Sequence, residues 1–251
     1  MPDTIESRRR RHAHKHTSSW LWGLLALLLA ALMVLLLLLK GCSKKHVDVE
    51  DEDDGFYLEC PDADHPHLID MGLPSGTLWA CCNVGASKPS DYGSYFAWGE
   101  TQAKAEYSWE TYQYSDGTRE GTTDIGGDIA GTAYDAATAN WGSDWRMPTW
   151  EQFEELTKNT TVEWTVKNGV KGMTFTGSNG GAIFLPAGNS QWRKSENPIG
   201  DRGCYWSSTA CKDYSSRGLY VTPDPTPRTT PYFTFRGGGL TIRPVSGLHP
   251  K

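Results

Sequence analysis

The sequence predicts an α+β protein of small antiparallel sheets with few short helices and long Gly- and Trp-rich loops, preceded by one N-terminal transmembrane helix. Three observations predict it. Residues 20–39 (WLWGLLALLLAALMVLLLLL) carry no charge over 20 positions. Thr149 and Gln152 form a helix-starting pair just after Pro148. Asn168-Gly169 stands between two alternating segments rich in β-branched residues, the strongest short hairpin signal.

At about 1.5 Å per residue the apolar run reaches the roughly 30 Å of a bilayer core. Arg8 to Arg11 and Lys15 precede it, which places residues 1–19 as a basic cytoplasmic tail and everything after Leu39 outside. Trp20 and Trp22 then sit at the inner headgroup level. A second reading exists for the same segment. Gly41-Cys42 after an apolar run resembles the site where bacterial lipoproteins are cleaved and lipidated on Cys42. Against it stand Lys40, two positions before the Cys, and a run longer than a cleaved signal needs. Both readings tether the body outside the cytoplasm. Residues 40–55 are dense in charge and poor in large apolar side chains, so they form a linker.

Charge divides the same way. Residues 1–46 hold eight Lys/Arg against two acids, and the remainder holds 16 bases against 28 acids. An acidic body repels phosphate backbones, so nucleic acid is not an expected partner.

Residues 56–247 form the exported domain, which holds nine of the eleven Trp. Thr77–Val84 and Tyr95–Trp98 read as brief strands bounded by turn residues. Residues 111–132 are mostly Gly, Thr and Asp without period, a long loop, and Ala133–Asn140 is a short helix. In the helix opening at Thr149, Trp150, Phe153 and Leu156 face the core and Asn159 or Thr160 ends it. Val162–Val166 and Val170–Thr176 flank the hairpin turn, and a turn over Ser178–Gly181 leads into Ala182–Leu185. Tyr205–Ser207, Leu219–Thr222, Tyr232–Phe235 and Leu240–Val245 complete the strands.

Seven segments in order carry a family resemblance: Asp70-Met-Gly-Leu-Pro-Ser-Gly-Thr-Leu-Trp-Ala80, Asn83-Val-Gly-Ala86, Tyr95-Phe-Ala-Trp-Gly-Glu100, Asn140-Trp-Gly, Trp145-Arg-Met-Pro-Thr149, Tyr205-Trp-Ser-Ser208 and Ile242-Arg-Pro-Val245. Together they resemble the Fibrobacter succinogenes major paralogous domain, a bacterial family, over about residues 68 to 245. That family is similar in turn to C-type-lectin-like and formylglycine-generating-enzyme-like folds. The resemblance implies a C-type-lectin-like scaffold in which the segment at Arg146–Thr149 opens a helix and a final strand at Ile242–Val245 returns beside the first. It implies a surface location more than an activity.

An oxidase on the enzyme-like scaffold needs a reactive Cys pair. Cys204 and Cys211 lie in a segment (GCYWSSTAC) unlike that active site, and they read as a structural disulfide or as two thiols. Cys81 and Cys82 are expected as successive strand residues pointing to opposite faces. Cys60, His65 and His67 lack metal-site spacing, so no metal and no cofactor is expected. Glu196-Asn197-Pro198 scrambles the calcium-binding triplet of sugar-binding lectins. The His residues sit near the linker and the end of the chain, which leaves no hydrolase triad.

What remains is a C-terminal loop face. Trp192, Arg193, Tyr214, Arg217 and Tyr232 lie in segments expected to be exposed, and they are of the types that stack on sugar rings and anchor protein interfaces. Trp192 and Tyr214 can equally cover the core beneath those loops. The expected function is an externally displayed, non-catalytic binding domain for a glycan or protein ligand. The alternatives are an oxidoreductase on the enzyme-like scaffold and a structural envelope component.

Overall fold

The computed structural model describes residues 67–193, 200–212, 214–223 and 232–246. The 20–39 run, the linker, Cys42, Cys60, His65 and Glu196-Asn197-Pro198 lie outside them. Among the described residues no helix is long and apolar enough to cross a membrane. All of them belong to one compact unit, residues 55–251.

Among the described residues that unit is α+β, with three small antiparallel sheets and two short helices. The first sheet has the order β1-β2-β10-β3, from β1 (Leu68–Asp70), β2 (Leu78–Ala80), β10 (Val245–Ser246) and β3 (Trp145–Arg146). The second is β4-β5-β6, from β4 (Thr161–Lys167), β5 (Val170–Thr176) and β6 (Ala182–Pro186). The third is β7-β8-β9, from β7 (Gly203–Lys212), β8 (Ser215–Val221) and β9 (Tyr232–Phe235).

Helix α1 spans Ala136–Trp141. It starts later than expected because Asp135 is its cap: Oδ1 accepts from the Ala137 and Thr138 N–H groups at 2.8 and 3.2 Å. Oδ2 takes the Gly131 and Met147 N–H groups at 2.8 and 2.9 Å, so one buried carboxylate closes the helix start and two flanking segments. Helix α2 spans Trp150–Lys158 with the full capping box between Thr149 and Gln152, and it buries Trp150, Phe153 and Leu156 as its spacing requires. The β4-β5 hairpin turns at Asn168-Gly169, whose φ values of 52° and 79° are those of a type I′ turn. Its register runs from Lys167 opposite Val170 to Thr161 opposite Thr176.

Two apolar clusters lie on either side of β2 and β7. Pleating sends Trp79 and Tyr205 into one, with Phe153, Phe175 and Leu185, while Ala80, Cys204 and Trp206 enter the other, with Trp98, Trp141 and Trp145. Arg243 is fully buried. Its Nε donates to Asn83 Oδ1 at 2.8 Å, its Nη1 to the Ala80 and Cys81 carbonyls at 3.2 and 2.9 Å, and its Nη2 to the Phe184 carbonyl at 2.9 Å.

Three of the expected strands are shortened or broken. Thr77–Val84 yields only Leu78–Ala80, at whose end the Ala80 and Cys81 carbonyls accept from this guanidinium. Cys81 and Cys82 therefore lie past the strand, both buried. Leu240–Val245 is not one strand but a segment that changes partners at each step: Leu240 bridges Phe96, Thr241 bridges Tyr205, and Val245 alone joins a ladder, after Pro244. Tyr95–Trp98 is likewise reduced to that bridge at Phe96.

Arg243→Met is expected to leave those four oxygens buried without their donor and to cost at least about 4 kcal/mol, enough to unfold a marginal domain. Arg243→Lys, which can reach only some of them, should fall between, as read by denaturant unfolding. Asp135→Asn should cost about 3 kcal/mol, more than an ordinary lost cap, because an amide NH₂ in place of one carboxylate oxygen faces N–H groups.

Candidate functional site

A third cluster sits at the surface beside these cores. Ala97, Tyr107, Trp109 and Tyr112 form its buried part, and Tyr95, Tyr114, Trp192 and Tyr214 pack on it partly exposed. The loop that carries Trp109 is pinned from below. Tyr112 Oη donates to the Trp98 carbonyl at 2.8 Å, and the Tyr107 hydroxyl donates to the Tyr95 carbonyl. Glu100, only 6% exposed, holds Lys104 in an ion pair at 2.8 Å and accepts the Gln113 N–H at 2.7 Å. Burial pushes the Tyr107 and Tyr112 hydroxyls above their ordinary range, so both stay protonated donors at any physiological pH.

Trp192 is held between two backbone anchors. Gln191 exchanges both main-chain bonds with Gly239 at 2.8 and 2.9 Å, and the Arg193 N–H donates to the Tyr107 carbonyl at 2.6 Å. Gly239 is required there, since a Cβ would come within 2.7 Å of the Tyr107 ring. The Trp192 ring meets Trp109 edge-on at 5.7 Å and 77°, and lies tilted against Phe235 at 5.5 Å. Phe235 contacts Trp109 at 5.6 Å and Tyr214 at 6.4 Å, and it is 41% exposed. Arg119 lays its guanidinium over the Tyr214 ring at 4.6 Å. A cleft of about 210 Å³ opens at this face, lined by Gln191, Trp192, Thr234, Phe235 and Leu240 among others.

Of the residues expected at the site, Trp192 and Tyr214 are brought together through Phe235, each half-buried, so each covers the core and stays partly exposed. Arg193 is exposed on the rim, 3.4 Å from Glu110. The Glu110 backbone N–H and the Ser108 hydroxyl hold that carboxylate below its ordinary range, with Arg193 adding less. Arg217 is not a loop residue. It lies in β8, half-buried, with its guanidinium 5.6 Å from the Trp150 ring at the start of α2, because the β7-β8 hairpin already closes at Lys212 opposite Ser215. Tyr232 opens β9 opposite Gly218, and its side chain lies outside the described residues.

The disulfide reading is corrected. Cys204 and Cys211 are both free and stand on the single strand β7. Seven residues of strand separate them by roughly 20 Å, several times the Cα spacing a bridge tolerates. Burial pushes the Cys204 thiol up to about 12, and Cys211 is partly exposed at the far end of the strand. His67 Nδ1 lies 3.6 Å from Cys81 Sγ, and among the described residues no group of three His, Cys, Asp or Glu is placed to hold a metal ion.

Sequence reasoning missed Trp109, Phe235 and Arg119. Trp109 and Phe235 sat in segments that read as generic core and strand, and only the fold shows that their rings meet Trp192 at the surface.

No family model, no curated protein and no solved structure matches the chain.

Two outcomes follow from the site's geometry. Trp192→Ala should leave a folded protein and cost about 2 kcal/mol in denaturant unfolding, less than the roughly 3–5 kcal/mol of a fully buried aromatic, which Trp109→Ala should approach. In the native protein without reductant, maleimide should label Cys211 and spare Cys204, and both should label after unfolding. Peptide mapping in which neither labels until a reductant is added would restore the bridge.

Proposed function

We propose that this chain is a membrane-tethered, externally displayed, non-catalytic binding domain of C-type-lectin-like architecture, akin to the Fibrobacter succinogenes major paralogous domain. It recognises a glycan or a protein ligand through the face built on Trp192, Tyr214 and Phe235. The observation that carries the reading is the aromatic cleft itself: Trp192 and Phe235 line it, both packed against the buried Trp109, with the Phe235 ring 41% exposed at its mouth. Such rings offer flat apolar area at low entropic cost to a sugar face or an apolar side chain, and Gln191 and Thr234 supply hydrogen bonds beside them. Arg193, Glu110 and Arg119 form a charged rim of the kind that orients a ligand and adds little affinity.

The scaffold reading draws support from the first sheet, where the last strand, β10, lies in the same sheet as β1 and between β2 and β3. The tether draws support from the uncharged run at 20–39 and the basic residues before it. Catalysis by cysteine lacks such support. A thiol raised to about 12 is not a nucleophile at neutral pH, and Cys211 is too far along β7 to act with it.

The full chain, applied to glycan and cell-surface protein arrays with calcium and with chelator, is expected to bind a defined set of targets equally in both conditions. Trp192→Ala and Phe235→Ala should each weaken that binding about tenfold or more while the protein stays folded. Affinity unchanged in both variants would remove the site assignment.

A further inference from the structure

The second sheet ends at β4, with no strand beyond it among the described residues. The type I′ turn makes Lys167 and Val170 a hydrogen-bonded pair, and bonding alternates down the ladder from there. Thr161, Glu163, Thr165 and Lys167 thus spend their backbone groups on β5. Val162, Trp164 and Val166 direct theirs to the open edge. Val166 is 62% exposed, more than any other large apolar residue among those described, and Trp164 beside it is half-buried. A seven-residue edge strand that shows apolar side chains and a row of open N–H and C=O groups is a template for another strand.

We propose that β4 is a homodimer interface: a second copy of this chain adds its own β4 antiparallel, about a twofold axis through Thr165, and joins the two sheets into one of six strands. The strand's own sequence selects that occupant. In this register Trp164 of each copy bonds opposite Val166 of the other, covering the exposed apolar side chain. Glu163 of each copy faces Lys167 of the other on the opposite side of the sheet, giving two ion pairs. Within one strand those two residues are about 13 Å apart, too far to pair with each other. Sliding the strands to the next bonding positions sets Glu163 opposite Thr165 in one direction and Lys167 opposite Thr165 in the other, and both ion pairs are lost. Self-complementarity about a twofold is what a symmetric interface requires. The inference rests on β4 alone and is independent of the aromatic cleft.

The test uses full-length chains carrying two different affinity tags and co-expressed. Wild-type copies are expected to co-purify. Glu163→Lys in both copies, or Lys167→Glu in both, sets like charges opposite each other and should cut recovery about tenfold. Pairing a Glu163→Lys copy with a Lys167→Glu copy makes every facing pair opposite again and should restore it. That rescue separates the interface from any cost to the monomer, where Lys167 sits 5.4 Å from the Phe184 ring. Thr165→Cys, on the axis at a non-hydrogen-bonded position, should oxidise to a covalent dimer, and Thr161→Cys, set opposite Gly169, should not. Wild-type copies that fail to co-purify, or a mixed pair recovered no better than either single variant, would overturn the proposal.

Discussion

The buried guanidinium of Arg243 is the constraint on which the arrangement of the sheets depends. Removing such a group from water costs several kcal/mol unless its donors are met by well-placed acceptors. The acceptors it meets come from the end of β2, from the Asn83 side chain and from the middle of β6. One buried charge thus gathers carbonyls from the end of β2 and from β6, and it ties the hairpin sheet to the first sheet. Tyr205, on β7, ties the third sheet to the same hairpin sheet, since its hydroxyl donates to the Pro186 carbonyl at the end of β6 at 2.6 Å.

The aromatic face hangs from the same stretch of chain. Seven residues before Arg243, Arg236 lies over the Trp98 ring at 4.4 Å and donates to Ser216 Oγ and the Lys212 carbonyl at 3.2 and 3.0 Å. The segment between the two arginines is thus fixed at both ends. Its turn at Gly237-Gly238 and its contact at Gly239 are what hold Gln191, and through it Trp192, at the surface. Two buried cations on one short segment set the position of the cleft wall. This is why a loop-borne site need not be a mobile one.

Local chemistry was legible in the sequence wherever one turn or one helix end decides the outcome. The Thr149 capping box, the Asn168-Gly169 turn and the strand Tyr232–Phe235 appear where local reading places them. It was not legible where a distant side chain intervenes. Leu240–Val245 has an apolar pattern that fits a strand, yet Arg243 and Pro244 inside it divert the backbone from any one partner. Arg217 reads as a loop residue because Lys212–Arg217 is polar, while the hairpin already closes at Lys212 opposite Ser215 and β9, fifteen or more residues later, pairs with Arg217 on the other side. The candidate site was half legible for the same reason. Trp192 and Tyr214 were nameable from type and loop context, but Trp109 joins them from 83 positions earlier than Trp192 in the sequence, and nothing local marks that meeting.

The size of the cleft bears on how such a domain would work. About 210 Å³ is smaller than the roughly 300–1,000 Å³ of sites that engulf a small molecule, so it accommodates about one sugar ring or one large side chain. One aromatic contact of that size supports only weak binding once the cost of association is met. Weak single sites become useful when they are repeated at fixed spacing, since linking two raises the effective concentration of the second to about the millimolar range. A twofold pair joined at β4 would supply such spacing through a rigid sheet and not a flexible linker. If the cleft binds as proposed and β4 pairs as proposed, modest affinity at each site would be multiplied by the pair's fixed geometry for a ligand displayed in many copies.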